Sequence, residues 1–554
     1  MGNRRLIYLP LGGAREVGMN AYVYGYGEPD NERLILVDLG VAFPNMETTP
    51  GIELIFPDMT WLEKRAERLE AIFITHGHED HVGGIPHYYG DLSAPIFARP
   101  FTSRIISRKL SEYGHSIENV QTVLPWPKQI EAGPFKVSFL PVSHSIPESS
   151  SLVINTPVGR IIHTGDLKID LNPVVGDIFD NANWRRVASK GVHALVCDST
   201  NVFSNRFGRS ESELISEIES LISRSNNLFV ATTFASNIAR IKTLACAGKR
   251  VGRSICLLGR AMKQMIETAI DTDVLRDFPE VIRPEDAHNI PRENLMLLVT
   301  GSQGERRAAS AQLARGKYMG FELKKGDVFL FSSKTIPGNE RGVLRVINQL
   351  SEKGVDVIDD SSGLYHVSGH ANRSDLEKLH KLVDPKIVIP MHGEHRHLQE
   401  HVKLCEQNGI QSLLAVDGTM VDISKNKPFI ADHIEAGRDY LDGRVIIGAL
   451  DGVVRGRIRM ALNGLVAIGI VQVKKPQISF RCDVTLIGLC EFGKENSLKD
   501  ILCEEIIASL MSAKHHVLNK HESIKDLVRH VVRKTVSFEL GKSPEITVIV
   551  NSVC

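Results

Sequence analysis

The stretch from Leu69 to Gly84, LEAIFITHGHEDHVGG, constrains the chain most strongly, because a short apolar run gives way at once to His76, His78, Asp80 and His81. An apolar run of this length, closed by glycine-bearing sequence, predicts a buried strand rather than a helix. Side chains two apart in extended chain face the same way, so His76 and His78 address one point. Asp80 and His81 sit where the chain turns toward Gly83 and Gly84, and they address a second point close by. Imidazole and carboxylate groups crowded at the mouth of a buried strand would repel, or lie desolvated without partners, unless a cation sat among them. The pattern therefore predicts a metal centre, with geometry that suits two ions rather than one.

The same device recurs along the chain. Phe135 to Val142 leads into Ser143-His144, Arg160 to Ile162 leads through His163-Thr164-Gly165 into Asp166, and Lys386 to Pro390 ends in Met391-His392-Gly393-Glu394. Strand ends at the edge of a rigid sheet are where catalytic groups are expected, because the sheet fixes their mutual positions. Earlier runs at Leu6 to Leu11, Ala21 to Tyr26 and Arg33 to Asp38 read as a sheet meander, and Asp38 is expected to orient the ligands from behind. Ala194 to Cys197 predicts a further short strand, ending in Asp198-Ser199-Thr200-Asn201.

A chain of 554 residues is too long for one core. From Asn201 to about Asp359, helical periodicity at Ser210 to Ser225, Ala235 to Lys249 and Ala261 to Ile270 alternates with apolar runs such as Leu228 to Thr232 and Leu295 to Val299. This alternation predicts a parallel sheet covered by helices. We therefore expect a first domain in two parts, 1–200 and 360–422, an inserted domain at 201–359, a loop-like linker at 423–451 and a third domain at 452–554. The third carries no ligand constellation, and the RGRIR run from Arg455 to Arg459 reads as a solvated edge. Its apolar stripes, Ile501, Ile506, Leu510 and Ile524, Leu527, Val531, serve either its own core or a partner, which predicts a homodimer or homotetramer.

Charge excludes little, since Lys plus Arg and Asp plus Glu number 66 each, and any nucleic-acid contact must come from a local patch. Eight cysteines without a C-x-x-C pair predict reduced thiols. The opening MGNRRLIYLPLGG is too short in its apolar run for a signal segment, and no later run approaches the ~20 residues needed to cross a bilayer, so a cytoplasmic protein is expected.

The H-x-H-x-D-H pattern at 76–81, with Asp38 before it and His144, Asp166 and His392 after it, resembles the metallo-β-lactamase superfamily. The α/β insertion before the last ligand, with Asp198 and His370, resembles the β-CASP branch, whose members are nucleases acting on RNA or DNA. Within that branch, GGAREVGMN at 12–20, DSTN at 198–201, GSQGE at 301–305, PGNE at 337–340, HVSGHA at 366–371 and MHGE at 391–394 resemble bacterial ribonuclease J. Arg306-Arg307 depart from the proline and small or apolar residue expected after GSQGE, without touching a ligand.

The resemblance implies an α/β chain with α+β elements: a metallo-β-lactamase αββα sandwich, an inserted α/β β-CASP domain and a small α+β C-terminal domain. It implies that His76, His78 and His144 hold one ion, that Asp80, His81 and His392 hold the other, and that Asp166 bridges. Two zinc ions suit these ligands, with manganese as the alternative. Such a pair lowers the pKa of a water and holds phosphoryl oxygens on both sides of a displacement. His370 is implied to protonate the leaving oxygen or stabilise the phosphorane, held by Asp198, and Asp80 to help orient the nucleophile. His366, Ser368, Gly369 and His370 offer donors for a terminal phosphate, Gly369 permitting close backbone approach. The implied activity is 5′-to-3′ exonucleolytic hydrolysis of single-stranded RNA from 5′-monophosphate ends, with some endonuclease activity, in RNA maturation and decay. The alternatives are a DNA-directed relative, a small-molecule hydrolase on the same scaffold, and a non-catalytic RNA-binding subunit.

Overall fold

Every second residue of three neighbouring strands, Leu6 and Tyr8 in Arg5–Gly12, Tyr22 and Tyr24 in Ala21–Gly27, and Ile35 and Val37 in Arg33–Val37, is buried on one face of a sheet. That spacing follows from the two-residue period of extended chain. Phe135, Val137 and Phe139 of Phe135–Pro141, with Leu152 and Ile154 of Ser150–Asn155, answer from a second sheet and close the core between the two. The structure, a computed structural model, describes residues 4–474 and 477–553.

The first sheet has eight strands, in the order Phe429–His433, Thr419–Asp422, Arg5–Gly12, Ala21–Gly27, Arg33–Val37, Leu69–Phe73, Ile96–Ala98 and Val120–Thr122. The second has seven, in the order Gln411–Ser412, Pro385–Met391, Val192–Asp198, Arg160–His163, Ser150–Asn155, Phe135–Pro141 and Ile130–Ala132. Helices Asn181–Ala188, Arg373–Val383 and His395–Gln407 cover the second sheet's outer face through Trp184, Leu376, Leu379 and Leu404.

Strand direction positions the site. In the first sheet Arg33–Val37 and Leu69–Phe73 run parallel, so Asp38 and His76 leave it at the same edge. In the second, Arg160–His163, Val192–Asp198 and Pro385–Met391 are parallel, so the turn to Asp166, Asp198 itself and His392 also share an edge. Ligands in α/β sheets gather at the carboxyl ends of strands for this reason.

Val192–Asp198 and Pro385–Met391 are direct neighbours, in register from Val192 opposite Pro385 to Asp198 opposite Met391. The chain between them makes a six-stranded, all-parallel sheet of its own, in the order Val281–Ile282, Ser254–Leu258, Leu295–Val299, Phe229–Thr232, Val328–Phe331 and Asp356–Ile358. The inserted α/β fold is thus present. Arg306 and Arg307 stand exposed on the loop before helix Ala309–Arg315, whose Arg315 donates to the Arg306 carbonyl.

The chain forms two units, one of Met1–Ala42 with Phe56–Arg438, the other of Phe43–Ile55 with Asp439–Cys554. In the second, Ser479–Ile487, Leu465–Val473 and Glu545–Val553 form a sheet with Leu465–Val473 central. Helices Leu498–Met511 and His521–Leu540 pack Leu502, Ile506, Leu510, Ile524, Val528 and Val532 against it. Ile506, Leu510, Ile524 and Val531, with Leu527 packed against them, therefore serve this unit's own core, while Ile501 is half-buried outside it.

One expectation is corrected. The stretch from 423 to 451, expected to be loop, carries strands Phe429–His433, Arg438–Asp442 and Val445–Gly448, whose residues are exposed or half-buried apart from Leu441 and so lack an apolar period. RGRIR, exposed or half-buried throughout, lies on helix Val453–Asn463, where Arg457 pairs with both oxygens of Asp442 at 2.8 Å and Arg459 reaches Glu545 at 3.3 Å. The seven described cysteines are unpaired, and Cys554 lies outside the described residues.

Candidate metal centre

Thr75 and Asp38 leave neighbouring strands side by side, and the Thr75 N–H and hydroxyl donate to the two Asp38 oxygens, each at 2.8 Å. Having given its only proton to Asp38, the hydroxyl accepts from His76 Nδ1 at 3.0 Å, which leaves His76 Nε2 as a bare lone pair. His144 Nδ1 donates to the Gly369 carbonyl at 2.6 Å, and His392 Nδ1 donates to Asn20 Oδ1 at 2.8 Å, an oxygen that Tyr22 Oη also reaches at 2.7 Å. His81 Nδ1 donates to Asp38 Oδ2 at 2.7 Å. Four imidazoles are thus tied back through Nδ1 so that Nε2 faces inward, the arrangement in which histidine binds a metal. His78 is turned the other way, its Nδ1 3.0 Å from His76 Nε2 and 3.3 Å from His144 Nε2.

Asp166 stands at the centre. Its Oδ2 lies 3.7 Å from His76, 3.4 Å from His81, 3.6 Å from His144 and 3.5 Å from His392, each measured to Nε2, while its Oδ1 is buried without a partner. Two ligand sets result, His76, His78, His144 and Asp166, and Asp80, His81, Asp166 and His392, and within each the ligand atoms lie within 4.8 Å of one another. The helical turn Glu79–Val82 carries Asp80 and His81. It can approach because residue 40 is glycine: a Cβ there would fall 1.6 Å from the Asp80 carbonyl oxygen.

Electrostatics fit a cation. Burial, reinforced by neighbouring imidazoles, holds His76 and His144 well below the ordinary histidine range, and burial pushes His78 down to about 4, so these rings are neutral. Burial opposes charge on His81 too, but Asp166, Asp80 and Asp38 outweigh it and raise that ring well above its ordinary value. The carboxylates thus draw a proton to the point where they converge, and an ion bound there would displace it. Asp38 and His392 both take left-handed backbone, φ 61° and 49°, a conformation that costs about 1–3 kcal/mol per residue and gathers at functional sites.

His370 sits beside the cluster, its ring centroid 5.0 Å from that of His144 and 5.7 Å from that of His392. Its Nδ1 contacts Asp198 Oδ2 at 2.7 Å, and Asp198 Oδ1 accepts from the Thr200 N–H and hydroxyl at 2.9 and 2.7 Å. Burial would depress His370, but the Asp198 charge and hydrogen bond overturn it and raise the ring to about 9.

Beside His144 a small cleft is lined by Ser145, Lys168, Asn237, Ser368 and Gly369. Lys168 pairs with Asp170 at 3.0 Å, and Ser368 Oγ accepts the His370 N–H at 3.1 Å. Gly369 answers a need other than open approach, since a Cβ there would lie 2.9 Å from His144 Cε1. His366 is not in the lining: its Nδ1 faces Nη1 of Arg240 at 3.2 Å. A guanidinium only donates, so Arg240 keeps His366 neutral with its proton on Nε2. Buried Arg240 is itself clamped by both oxygens of Glu211, at 2.5 and 2.9 Å.

All seven proposed ligands are therefore brought together, with Asp38 behind them and Asp198 with His370 alongside. Asn20, Thr75, Thr200, Lys168, Asn237 and Arg240 were not singled out from the sequence. Asn20 lies within the GGAREVGMN stretch, the one signal that could have found it.

Four family models match the chain: a beta-lactamase superfamily domain at 44–183, the ribonuclease J beta-CASP domain at 226–350, a Zn-dependent metallo-hydrolase RNA specificity domain at 364–415 and the ribonuclease J C-terminal domain at 452–553. Ribonuclease J of Sinorhizobium meliloti is 36% identical over 553 residues, covering 100% of this chain and 98% of that protein. Ribonuclease J 1 of Streptococcus pyogenes is 32% identical, covering 98% and 96%. A crystal structure of a protein of unknown function from Enterococcus faecalis shares the fold over 76% of this chain and all of its own, with a TM-score of 0.52 at 17% identity. With one such relative matched over the whole of this chain, and both the inserted and the C-terminal domain accounted for, the chain belongs to the ribonuclease J family.

Proposed function

We propose that this chain hydrolyses phosphodiester bonds of single-stranded RNA, as a 5′-to-3′ exonuclease with additional endonuclease activity, in RNA maturation and decay in the cytoplasm. The observation that carries the reading is the sharing of Asp166 between two ligand sets, with His370 beside them. His76, His78, His144 and Asp166 would hold one zinc ion, and Asp80, His81, His392 and Asp166 the other, with manganese as the alternative. Such ions, when bound, supply an activated water and neutralise charge on the phosphoryl oxygens. Asp80, open to 27% side-chain exposure, helps orient the attacking water. His370, its Nδ1 engaged by Asp198, presents protonated Nε2 to the leaving oxygen.

The cleft beside His144 takes the terminal 5′-phosphate. Ser145, Lys168, Asn237, Ser368 and the backbone at Gly369 offer donors there, and His366, fixed by Arg240, backs the same loop. It is small, so a 5′-monophosphate is admitted and a triphosphate excluded. A single-stranded RNA with a 5′-monophosphate is expected to be degraded at least about tenfold faster than the same RNA with a triphosphate, releasing mononucleotides, on the scale of one or two lost hydrogen bonds to a charged group. Equal rates, or internal fragments alone, would leave a plain endonuclease, and preference for matched single-stranded DNA would overturn the RNA reading.

The same reading has the chain as a homodimer or homotetramer through its C-terminal unit. Ile487, Ile549 and Val553 are more than half exposed and share the sheet face turned from the helices, opposite Leu465, Gly469 and Val473 of the central strand. An Ile549→Asp chain that sizes at the parent's mass would remove that surface from the account.

A further inference from the structure

On the far side of the second sheet from the sandwich core, a second group of metal-ligating side chains lies apart from the centre described above. Cys197, from strand Val192–Asp198, His380, from helix Arg373–Val383, and His401, from helix His395–Gln407, are all at least 97% buried, and their ligand atoms lie within 4.8 Å of one another. We propose that these three residues form a separate binding site for a thiolate- and imidazole-preferring cation, zinc first, which fastens both helices to the strand that ends in Asp198.

Proton accounting supports the proposal. The Ser199 hydroxyl donates to the Cys197 carbonyl at 3.3 Å, so its oxygen accepts from His401 Nδ1 at 2.9 Å. His401 Nε2 is then a bare lone pair, 3.2 Å from His380 Nε2. This tying back of Nδ1 is the same device that prepares His76, His144 and His392, and it fixes the tautomer that binds metals. Without an ion, His380 Nε2 donates its proton to His401 Nε2; with one, both Nε2 lone pairs face the same point, and the His380 Nδ1 is buried without a partner in either state.

The spacing also fits. Zinc–nitrogen bonds of about 2.0–2.1 Å in a tetrahedron put two nitrogens ~3.3 Å apart. The 3.2 Å between His380 and His401 matches this, as do the 3.0 and 3.3 Å separations inside the main centre. The three side chains leave the fourth position of a tetrahedron to a water. Cysteine with two histidines selects zinc over magnesium, calcium or manganese. Burial raises the Cys197 thiol well above its ordinary value, so binding must release its proton, and occupancy should rise with pH.

Cobalt separates this site from the main centre, because the proposed ligands of the latter contain no sulfur. The full-length chain, stripped of metal and reloaded with Co²⁺, is expected to show a thiolate-to-cobalt charge-transfer band in the near ultraviolet. Cys197→Ser should abolish that band and His380→Leu should weaken or abolish it, while the visible bands from the histidine and aspartate ligands remain. Bound zinc should fall by about one ion per chain in either variant. A parent without the charge-transfer band, a band that survives both substitutions, or zinc content unchanged in both would overturn the site. His380→Leu keeps an apolar side chain in an apolar setting, so it provides the answer should Cys197→Ser fail to fold.

Discussion

An Asp166→Asn chain is expected to fold and to lose on the order of 10³-fold in kcat on single-stranded RNA, with most of its bound metal. The substitution preserves shape and removes only charge. Asp166 Oδ2 lies within 3.7 Å of four imidazole nitrogens and belongs to both ligand sets, so an amide weakens both at once. Replacing His81 or Asp80 by alanine disables one set and leaves the other, with an expected loss of about 10²-fold or more. Turnover with each variant, metal content by elemental analysis and a thermal melt decide the matter. An Asp166→Asn chain that keeps more than a tenth of parental kcat with a full metal complement would remove Asp166 from the bridging position.

His370→Gln is expected to cost ~10²–10⁴-fold in kcat with little change in KM, the usual range for loss of a positioned general acid. Its pH dependence carries a sign. The raised pKa of His370, about 9, means that the proton-bearing ring predominates through neutral pH, and kcat should fall as pH rises through the ring's pKa. Bound cations repel an imidazolium, so the alkaline limb in the loaded enzyme lies below that value. Asp198→Asn removes the charge that opposes burial, and the limb should move further down, by at least about one pH unit, toward or below the ordinary histidine value of about 6.5. A limb unmoved by Asp198→Asn would assign it to another group.

The candidate ligands were legible because they follow apolar runs, and a buried strand that ends in a histidine or aspartate has few other uses. Their supports were not. Asn20 meets His392 across 372 residues, a pairing decided by which strands lie side by side rather than by any local pattern. The Ser368-Gly369-His370 loop was legible as a site, but not the reason for its glycine, which depends on where His144 packs. Phe429–His433 escaped notice because exposed strands need no apolar alternation, and helix Val453–Asn463 because only Val454 is buried on it. That Phe43–Ile55 joins the C-terminal unit has no sequence signal at all, since nothing local distinguishes a loop that packs near home from one that packs with distant chain.

The direct pairing of Val192–Asp198 with Pro385–Met391 sets an order of events during synthesis. A ribosome that has made the first strands, His76 to His81, His144 and Asp166 has not made His392, and the strand that delivers it cannot dock until the whole intervening sheet has emerged. Closing so long a loop is slow compared with folding the inserted sheet on its own contacts. The nascent chain therefore passes most of its elongation without His392, and the messenger being read lies beside a protein whose second group of candidate ligands is still incomplete.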